Sequence, residues 1–154
     1  MGLTALAGAT ALPADAEVKF NAAVSYPPQA AGMYEFTTAS YNPVQIARNV
    51  YASGGGIAMD GYYYGVRFEV ISGIPAVSQQ SFNMKTWEVD ETYSGTMEDV
   101  ATALAYNSDR DETFGCYFND DGQSFRFCSV NVPYWGKTKI ADLPKGWGAC
   151  AFDA

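Results

Sequence analysis

Carboxylates in two short clusters are the first residues of this sequence with the chemistry for a function. The clusters are Asp109, Asp111 and Glu112, and Asn119, Asp120 and Asp121. Such groups bind Ca²⁺ or act as an acid and a base. The spacing lacks the glycine and the distal glutamate of an EF-hand loop, and Asn and Asp are common in solvated turns, where they accept backbone hydrogen bonds. We therefore predict no catalytic residue and no metal ligand.

Aromatic side chains are the second group with suitable chemistry, because a Tyr or Trp ring stacks on a sugar while its polar tip forms hydrogen bonds. The set comprises Tyr62, Tyr63, Tyr64, Tyr93, Tyr117, Tyr134, Trp87, Trp135 and Trp147. Packing between sheets is the alternative explanation, and it is favoured by the equivalent repeat positions of Trp87 and Trp135. We predict Tyr63, Trp87 and Trp135 as the candidate ligand-binding residues.

The sequence contains no histidine. This removes the commonest general base, the Ser-His-Asp and Cys-His mechanisms, and the usual ligands of catalytic zinc. The glycines at 54–56 precede a predicted strand and not a helix, so they do not form a phosphate-binding loop. Cys116, Cys128 and Cys150 form no Cys-x-x-Cys motif and are predicted as small apolar core residues. No cofactor is predicted.

Composition indicates one globular domain rich in strands. The chain has 154 residues, of which 48% are hydrophobic and 15% aromatic. Its net charge is -8, and the nine basic residues form no cluster. Nucleic acid and anionic membrane surfaces are therefore excluded as partners. No stretch is long and apolar enough to span a membrane, so membrane insertion is not expected.

Residues 1–30 are predicted to form an N-terminal arm. Its first half is rich in Ala, Leu and Gly, with small residues spaced as at a signal-peptide cleavage site, but no basic region precedes it. We interpret it as the remnant of an export signal, and an irregular arm is the alternative. The interpretation predicts a secreted, periplasmic or cell-surface protein.

An internal repeat is the strongest pattern in the chain. Phe36, Phe82 and Cys128 follow one another at intervals of 46 residues, and Trp135 follows Trp87 by 48. The sequence also aligns Leu104–Asn107 with Ile57–Asp60. Each period predicts four short strands, with a type I′ turn at Asp60-Gly61. The predicted strands are 56–59, 62–71, 77–83 and 87–93, then 101–106, 113–118, 124–131 and 138–141, with 32–38 and 43–50 before them.

Repeated four-stranded antiparallel units of this length are typical of β-propeller blades. The sequence thus predicts an all-β fold, a partial β-propeller over residues 31–154. It divides into a half blade at 31–53, blades at 54–99 and 100–145, and the start of another at 146–154. A β-sandwich of two facing sheets is the alternative fold.

Three segments carry a family resemblance: Gly55–Gly65, Phe82–Trp87 and Gly115–Asn119. They resemble blades of secreted β-propeller proteins of unknown function from Bacteroides-type bacteria, and more loosely kelch and NHL-type blades. The resemblance covers about residues 32–154. It implies a ring of six or more blades, of which this chain matches the N-terminal part, and it implies no particular activity.

These features predict a non-enzymatic binding module of an exported bacterial protein, with a glycan or a protein as its ligand. One alternative is a propeller-type carbohydrate-active enzyme that uses two carboxylates. Another is a truncated fragment with no independent function. Because an open set of blades exposes apolar faces and strand edges, self-association of the chain is also expected.

Overall fold

The computed structural model describes residues 17–24, 28–50 and 55–146, and its regular structure is antiparallel β-sheet with two short 3₁₀ turns. The predicted all-β class is confirmed. Within these ranges there is no helix with the length and apolar character to cross a membrane. The predicted export remnant, apart from its last residues, and nearly all of the next repeat lie outside the described residues.

Sheet one has three strands in the order β1-β2-β3. They are β1 (Lys19–Val24), β2 (Gly32–Thr37) and β3 (Val44–Arg48), with a 3₁₀ turn at Pro28–Ala30 between the first two. Strands β2 and β3 match the predicted pair. Strand β1 was not predicted and lies within the residues assigned to an N-terminal arm. Its six residues are too few to show a clear alternation of apolar and polar side chains.

Sheet two is a meander of β4 (Gly56–Met59), β5 (Tyr62–Ile71), β6 (Ile74–Asn83) and β7 (Val89–Gly95). Asp60 and Gly61 have φ values of 52° and 82°, as a type I′ turn requires. Ser72 and Gly73 repeat these values in the next hairpin. Since that turn needs only two residues, β6 begins at Ile74, three residues before the predicted start.

Sheet three is a second meander in the same order. A 3₁₀ turn at Met97–Asp99 leads into β8 (Ala101–Asn107), β9 (Glu112–Phe118), β10 (Phe125–Asn131) and β11 (Gly136–Leu143). Gly122 takes the left-handed conformation expected for the β9–β10 turn, with φ 64°.

Backbone irregularities recur with the sequence period. A register shift lies between Ser81 and Phe82 in sheet two, and another lies 46 residues later between Phe127 and Cys128 in sheet three. Trp87 and Trp135 both take the left-handed conformation, with φ values of 58° and 57°. Two tryptophans in this uncommon conformation at matching places show that sheets two and three are copies of one unit.

One detail of the sequence repeat needs correction. Sequence matching aligns Leu104 with Ile57, but Ile57 pairs with Tyr64 and its structural counterpart Ala105 pairs with Phe114. The β8–β9 turn spans residues 108–111, whereas the β4–β5 turn has only two residues. The longer turn displaces the alignment by one position, which places Leu104 and Ile57 on opposite faces of their strands.

The three sheets stack face to face around two apolar clusters. Met33 and Val50 pack with Phe82 between sheets one and two. The larger cluster, between sheets two and three, comprises Ile57, Tyr64, Val66, Val77, Val100, Ala101, Leu104, Tyr117, Cys128, Val130 and Trp135. Burial of each large side chain stabilises the stack by about 1.5–3 kcal/mol. The described sheets do not close into a ring.

Candidate functional site

Two of the three predicted ligand-binding residues meet between sheets one and two. The Tyr63 and Trp87 ring centroids are 6.3 Å apart, and Tyr63 is equally far from Phe82, which is fully buried. Burial raises the pKa of the Tyr63 hydroxyl to about 12. Both rings are half-buried and pack the contact between the sheets.

Trp135, the third candidate, lies apart from the other two. Only 5% of it is exposed, and its ring meets the Tyr64 ring edge-on at 6.3 Å in the contact between sheets two and three. Its neighbour Tyr134 is 75% exposed. The turn between β10 and β11 therefore directs Tyr134 into solvent and the following residue, Trp135, into the core. Binding by Tyr63, Trp87 or Trp135 stays a prediction.

A cavity of about 610 Å³ lies at the ends of β9, β10 and β11, close to the first hairpin of sheet two. Its walls are mainly polar side chains and strand-end backbone, with Met59 as the contribution of sheet two. The lining residues are Met59, Asp111, Glu112, Thr113, Phe114, Ser129, Val130, Asn131, Val132, Gly136, Lys137 and Thr138. The first acidic cluster of the sequence thus reaches this cavity through two of its three members.

Hydrogen-bond acceptors dominate the electrostatics of this cavity. The Tyr106 hydroxyl donates to a carboxylate oxygen of Asp111 at 3.0 Å, and this bond raises the pKa of Tyr106. Lys137 is the basic lining residue, and its ammonium group forms an ion pair with Asp99. Because that positive charge is already paired, the walls favour ligands that donate hydrogen bonds over anions.

The ion pair of Lys137 and Asp99 links the cavity to the 3₁₀ turn of sheet three. Burial acts to raise the pKa of Asp99, but hydrogen bonds from Lys137 and from Thr96 outweigh it and hold that pKa below its usual value. Arg126 reinforces the same turn through an ion pair with Glu98, at 3.1 Å. These ion pairs stabilise the crossing from sheet two to sheet three, and Lys137 is the member of the group that also lines the cavity.

The second acidic cluster has a structural role. Asp121 accepts hydrogen bonds at 2.8 Å from the backbone N–H groups of Gln123 and Ser124 and from the Ser124 hydroxyl. The backbone hydrogen bonds from Ser124 and Gln123 lower the pKa of Asp121, with that from Ser124 contributing most to the shift. This is the turn-capping role predicted for Asp in such a loop.

Cys116 and Cys128 are buried, as predicted for small core residues, and burial raises the pKa of Cys128. Cys150 lies outside the described residues. Nowhere in residues 17–24, 28–50 and 55–146 do three or more Cys, Asp or Glu side chains come together as a metal site.

Comparisons of the chain with protein-family models, with curated proteins and with solved structures found no match. Function therefore has to be inferred from the cavity and its walls. Sequence reasoning considered Asp111 and Glu112 but interpreted them as residues of a solvated turn, and it missed Met59, Asn131 and Thr138. No local pattern marks those three, because Asn131 and Thr138 come together through the pairing of β10 with β11, and Met59 joins them only through the packing of sheet two against sheet three.

Proposed function

We propose that this chain is part of a β-propeller and acts as a non-enzymatic binding module for a glycan. The propeller arrangement is supported by the two meanders of equal strand order and by their first strands, β4 and β8, which contact each other. A Cβ atom on Gly55 would lie 3.0 Å from the backbone nitrogen of Leu104. Such close approach of first strands is expected near the axis of a propeller.

The observation that carries the proposed ligand class is a cavity with polar walls together with an exposed aromatic residue in the turn that contributes to those walls. Tyr134 stands in the turn between Val132 and Gly136, both of which line the cavity. A sugar ring presents an apolar face that stacks on an aromatic ring, and hydroxyl groups that donate to carboxylates and amide oxygens. Asp111 and Asn131 supply such acceptors in the wall.

A carbohydrate-active enzyme is the second candidate, because Asp111 and Glu112 both line the cavity. A glycosidase needs an acid and a base or nucleophile on either side of the scissile bond. The Asp111 carboxylate is engaged by the Tyr106 hydroxyl, and Asp111 lies in the turn before β9 with φ 53°, whereas Glu112 is the first residue of the strand. Binding without hydrolysis therefore fits this geometry better.

Export of the protein remains a prediction from its N-terminal composition.

The test is a glycan array, followed by titration calorimetry with a glycan that binds. We expect Tyr134→Ala to lose affinity about tenfold, which corresponds to about 1.4 kcal/mol. Tyr41→Ala is the matched control, because Tyr41 is 79% exposed and lies in the loop between β2 and β3, and sheet one contributes no residue to the cavity. Equal losses for the two variants, or an array without binding, contradict the proposal. Polysaccharide hydrolysis that is lost in Asp111→Asn would favour the enzyme.

A further inference from the structure

A second exposed tyrosine, Tyr93, lies on the face of sheet two that is turned toward sheet three. Its register partner on β6 is Gln79, and Gln79 pairs in turn with Val66 of the larger cluster. Because side chains that pair in register point to the same face of a sheet, Tyr93 shares the face of Val66. Strand β7 is the outer strand of its sheet, and Tyr93 is 38% exposed there. Its ring is therefore accessible at the edge of the contact between the two sheets.

Glu91 places a carboxylate beside the Tyr93 ring. It lies two residues before Tyr93 on β7, so the two side chains point to the same face. The Tyr93 hydroxyl donates to a carboxylate oxygen of Glu91 at 2.9 Å. Since a carboxylate accepts hydrogen bonds through two oxygens, Glu91 can receive hydroxyl groups of a ligand as well as that of Tyr93. An apolar ring and an acceptor thus lie side by side on sheet two, the same combination that Tyr134 and the cavity walls provide on sheet three.

Tyr93 lies close to Tyr134 across the junction of sheets two and three. Tyr64 and Glu91 pair with the same residue of β6, so they lie in one row across sheet two. The Tyr64 ring meets that of Trp135, the residue after Tyr134, at 6.3 Å. The hydrogen bond to Glu91 is the main cause that raises the pKa of Tyr93, and the nearby Tyr134 hydroxyl adds to this shift. The two exposed rings therefore belong to one continuous surface.

We propose that the glycan site extends from the cavity over Tyr134 and onto Tyr93 and Glu91 of sheet two, which bind a further sugar unit of the same glycan. The ligand is then a linear oligosaccharide that crosses the junction of the two sheets and stacks on one ring from each. Carboxylates lie along both parts of this path, with Asp111 in the cavity wall and Glu91 on β7. The glycan is therefore one that carries hydroxyl donors and not carboxylate or sulfate groups. The inference rests on the glycan binding proposed above.

The experiment is titration calorimetry with a glycan that binds on the array, prepared as a series from disaccharide to hexasaccharide. Wild-type affinity is expected to rise about tenfold along the series, as the second ring becomes occupied. Tyr93→Ala is expected to remove this gain and to leave the disaccharide within about twofold of wild type. Tyr93→Phe keeps the ring and is expected to keep most of the gain. Tyr134→Ala is expected to weaken binding of every member.

Two further variants separate loss of the subsite from loss of the fold. Glu91→Ala removes only an exposed acceptor on β7 and is expected to weaken the hexasaccharide about fivefold without affecting the disaccharide. Val89→Ala is the matched control, because Val89 is 49% exposed on the same strand but pairs with Phe82, which packs against sheet one. It is expected to bind the whole series as wild type does. Thermal unfolding checks that each variant is folded.

The possible outcomes distinguish the extended site from glycan binding itself. Equal hexasaccharide affinities of folded Tyr93→Ala, Glu91→Ala and wild type overturn the inference. An equal loss in Tyr93→Ala for every length also overturns it, because Tyr93 would then act on the same sugar unit as Tyr134. In both cases a loss of affinity in Tyr134→Ala leaves the proposed binding function intact. A wild type that binds no glycan overturns both, and preference for carboxylated or sulfated glycans over neutral ones contradicts the ligand class.

Discussion

Tyr63 shows at the scale of the residue how packing changes the chemistry of a side chain. By residue type it is a candidate for stacking on a sugar, but in the fold its ring lies 6.3 Å from both Phe82 and Trp87. Its hydroxyl keeps its proton more tightly than in the unfolded chain, since burial disfavours the phenolate. The burial that limits its access to a ligand therefore has a measurable consequence for stability.

We expect the free energy of unfolding of Tyr63→Phe to fall less steeply at alkaline pH than that of wild type. The pKa of Tyr63 is about 12 in the folded state, and that of an unfolded tyrosine is about 10. The free energy of unfolding is unaffected by this group below pH of about 10, where Tyr63 is protonated in both states. It falls by up to roughly 2.7 kcal/mol as the pH rises to about 12, because only the unfolded chain loses the proton. Urea unfolding at a series of pH values measures it. Tyr41→Phe, at a site 79% exposed, should lose stability as wild type does; an equally steep loss in Tyr63→Phe would contradict the assignment.

Tyr134 and Trp135 show the limit of residue-level prediction. Both are aromatic and adjacent, yet one is 75% exposed and the other 5%. The repeat identifies Trp135 as a shared position, and the structure shows that this position packs against Tyr64. Which of two neighbours points inward depends on the turn geometry and on the sheet opposite, and neither is encoded in the residue types.

At the scale of the element, strand positions follow closely from local chemistry. Strand β5 has the bounds that its alternation predicts, Tyr62–Ile71, and Asp60-Gly61 forms the predicted turn because both residues tolerate a positive φ. The start of β6 and the whole of β1 were less predictable. Their ends depend on pairing with neighbouring strands, since pairing extends a strand as far as a partner is available.

The first strands of sheets two and three provide a test at this scale. At Gly55 an added Cβ would lie 3.0 Å from the Leu104 nitrogen and 3.2 Å from the Ala103 carbonyl carbon. Because backbone atoms yield little, Gly55→Val should reduce the free energy of unfolding by about 1–3 kcal/mol. Gly136→Val is the control, with its nearest contact at 3.9 Å, and should change it by less than about 0.5 kcal/mol. Urea denaturation compares them, and equal effects would argue against close packing of the first strands.

At the scale of the whole molecule, the two clusters between the sheets differ in size. Among the residues that the structure describes, the cluster between sheets one and two contains three buried residues, whereas the one between sheets two and three contains eleven. Local opening is easiest where few apolar contacts must be broken. Sheet one is therefore the part of the described fold that should open first.

Hydrogen exchange followed by mass spectrometry measures this difference. We expect amides of β5, β6, β9 and β10 to exchange slowest, since these strands are paired on both sides and contribute to the larger cluster. Amides of β1 to β3 should exchange at least tenfold faster. If sheet one proved the most protected part, its face away from sheet two would have to be covered more fully than the partial exposure of Phe20 and Phe36 indicates.

The sequence by itself determined the all-β class, the 46-residue period, most strand positions and the turn residues. These depend on alternation and on local φ preferences, which act over a few residues. The tertiary structure alone decided the cavity, the exposure of Tyr134, and the ion pair of Asp99 with Lys137, two residues that are 38 positions apart. Those features depend on strand pairing and sheet packing between residues far apart in the chain, which no local pattern contains.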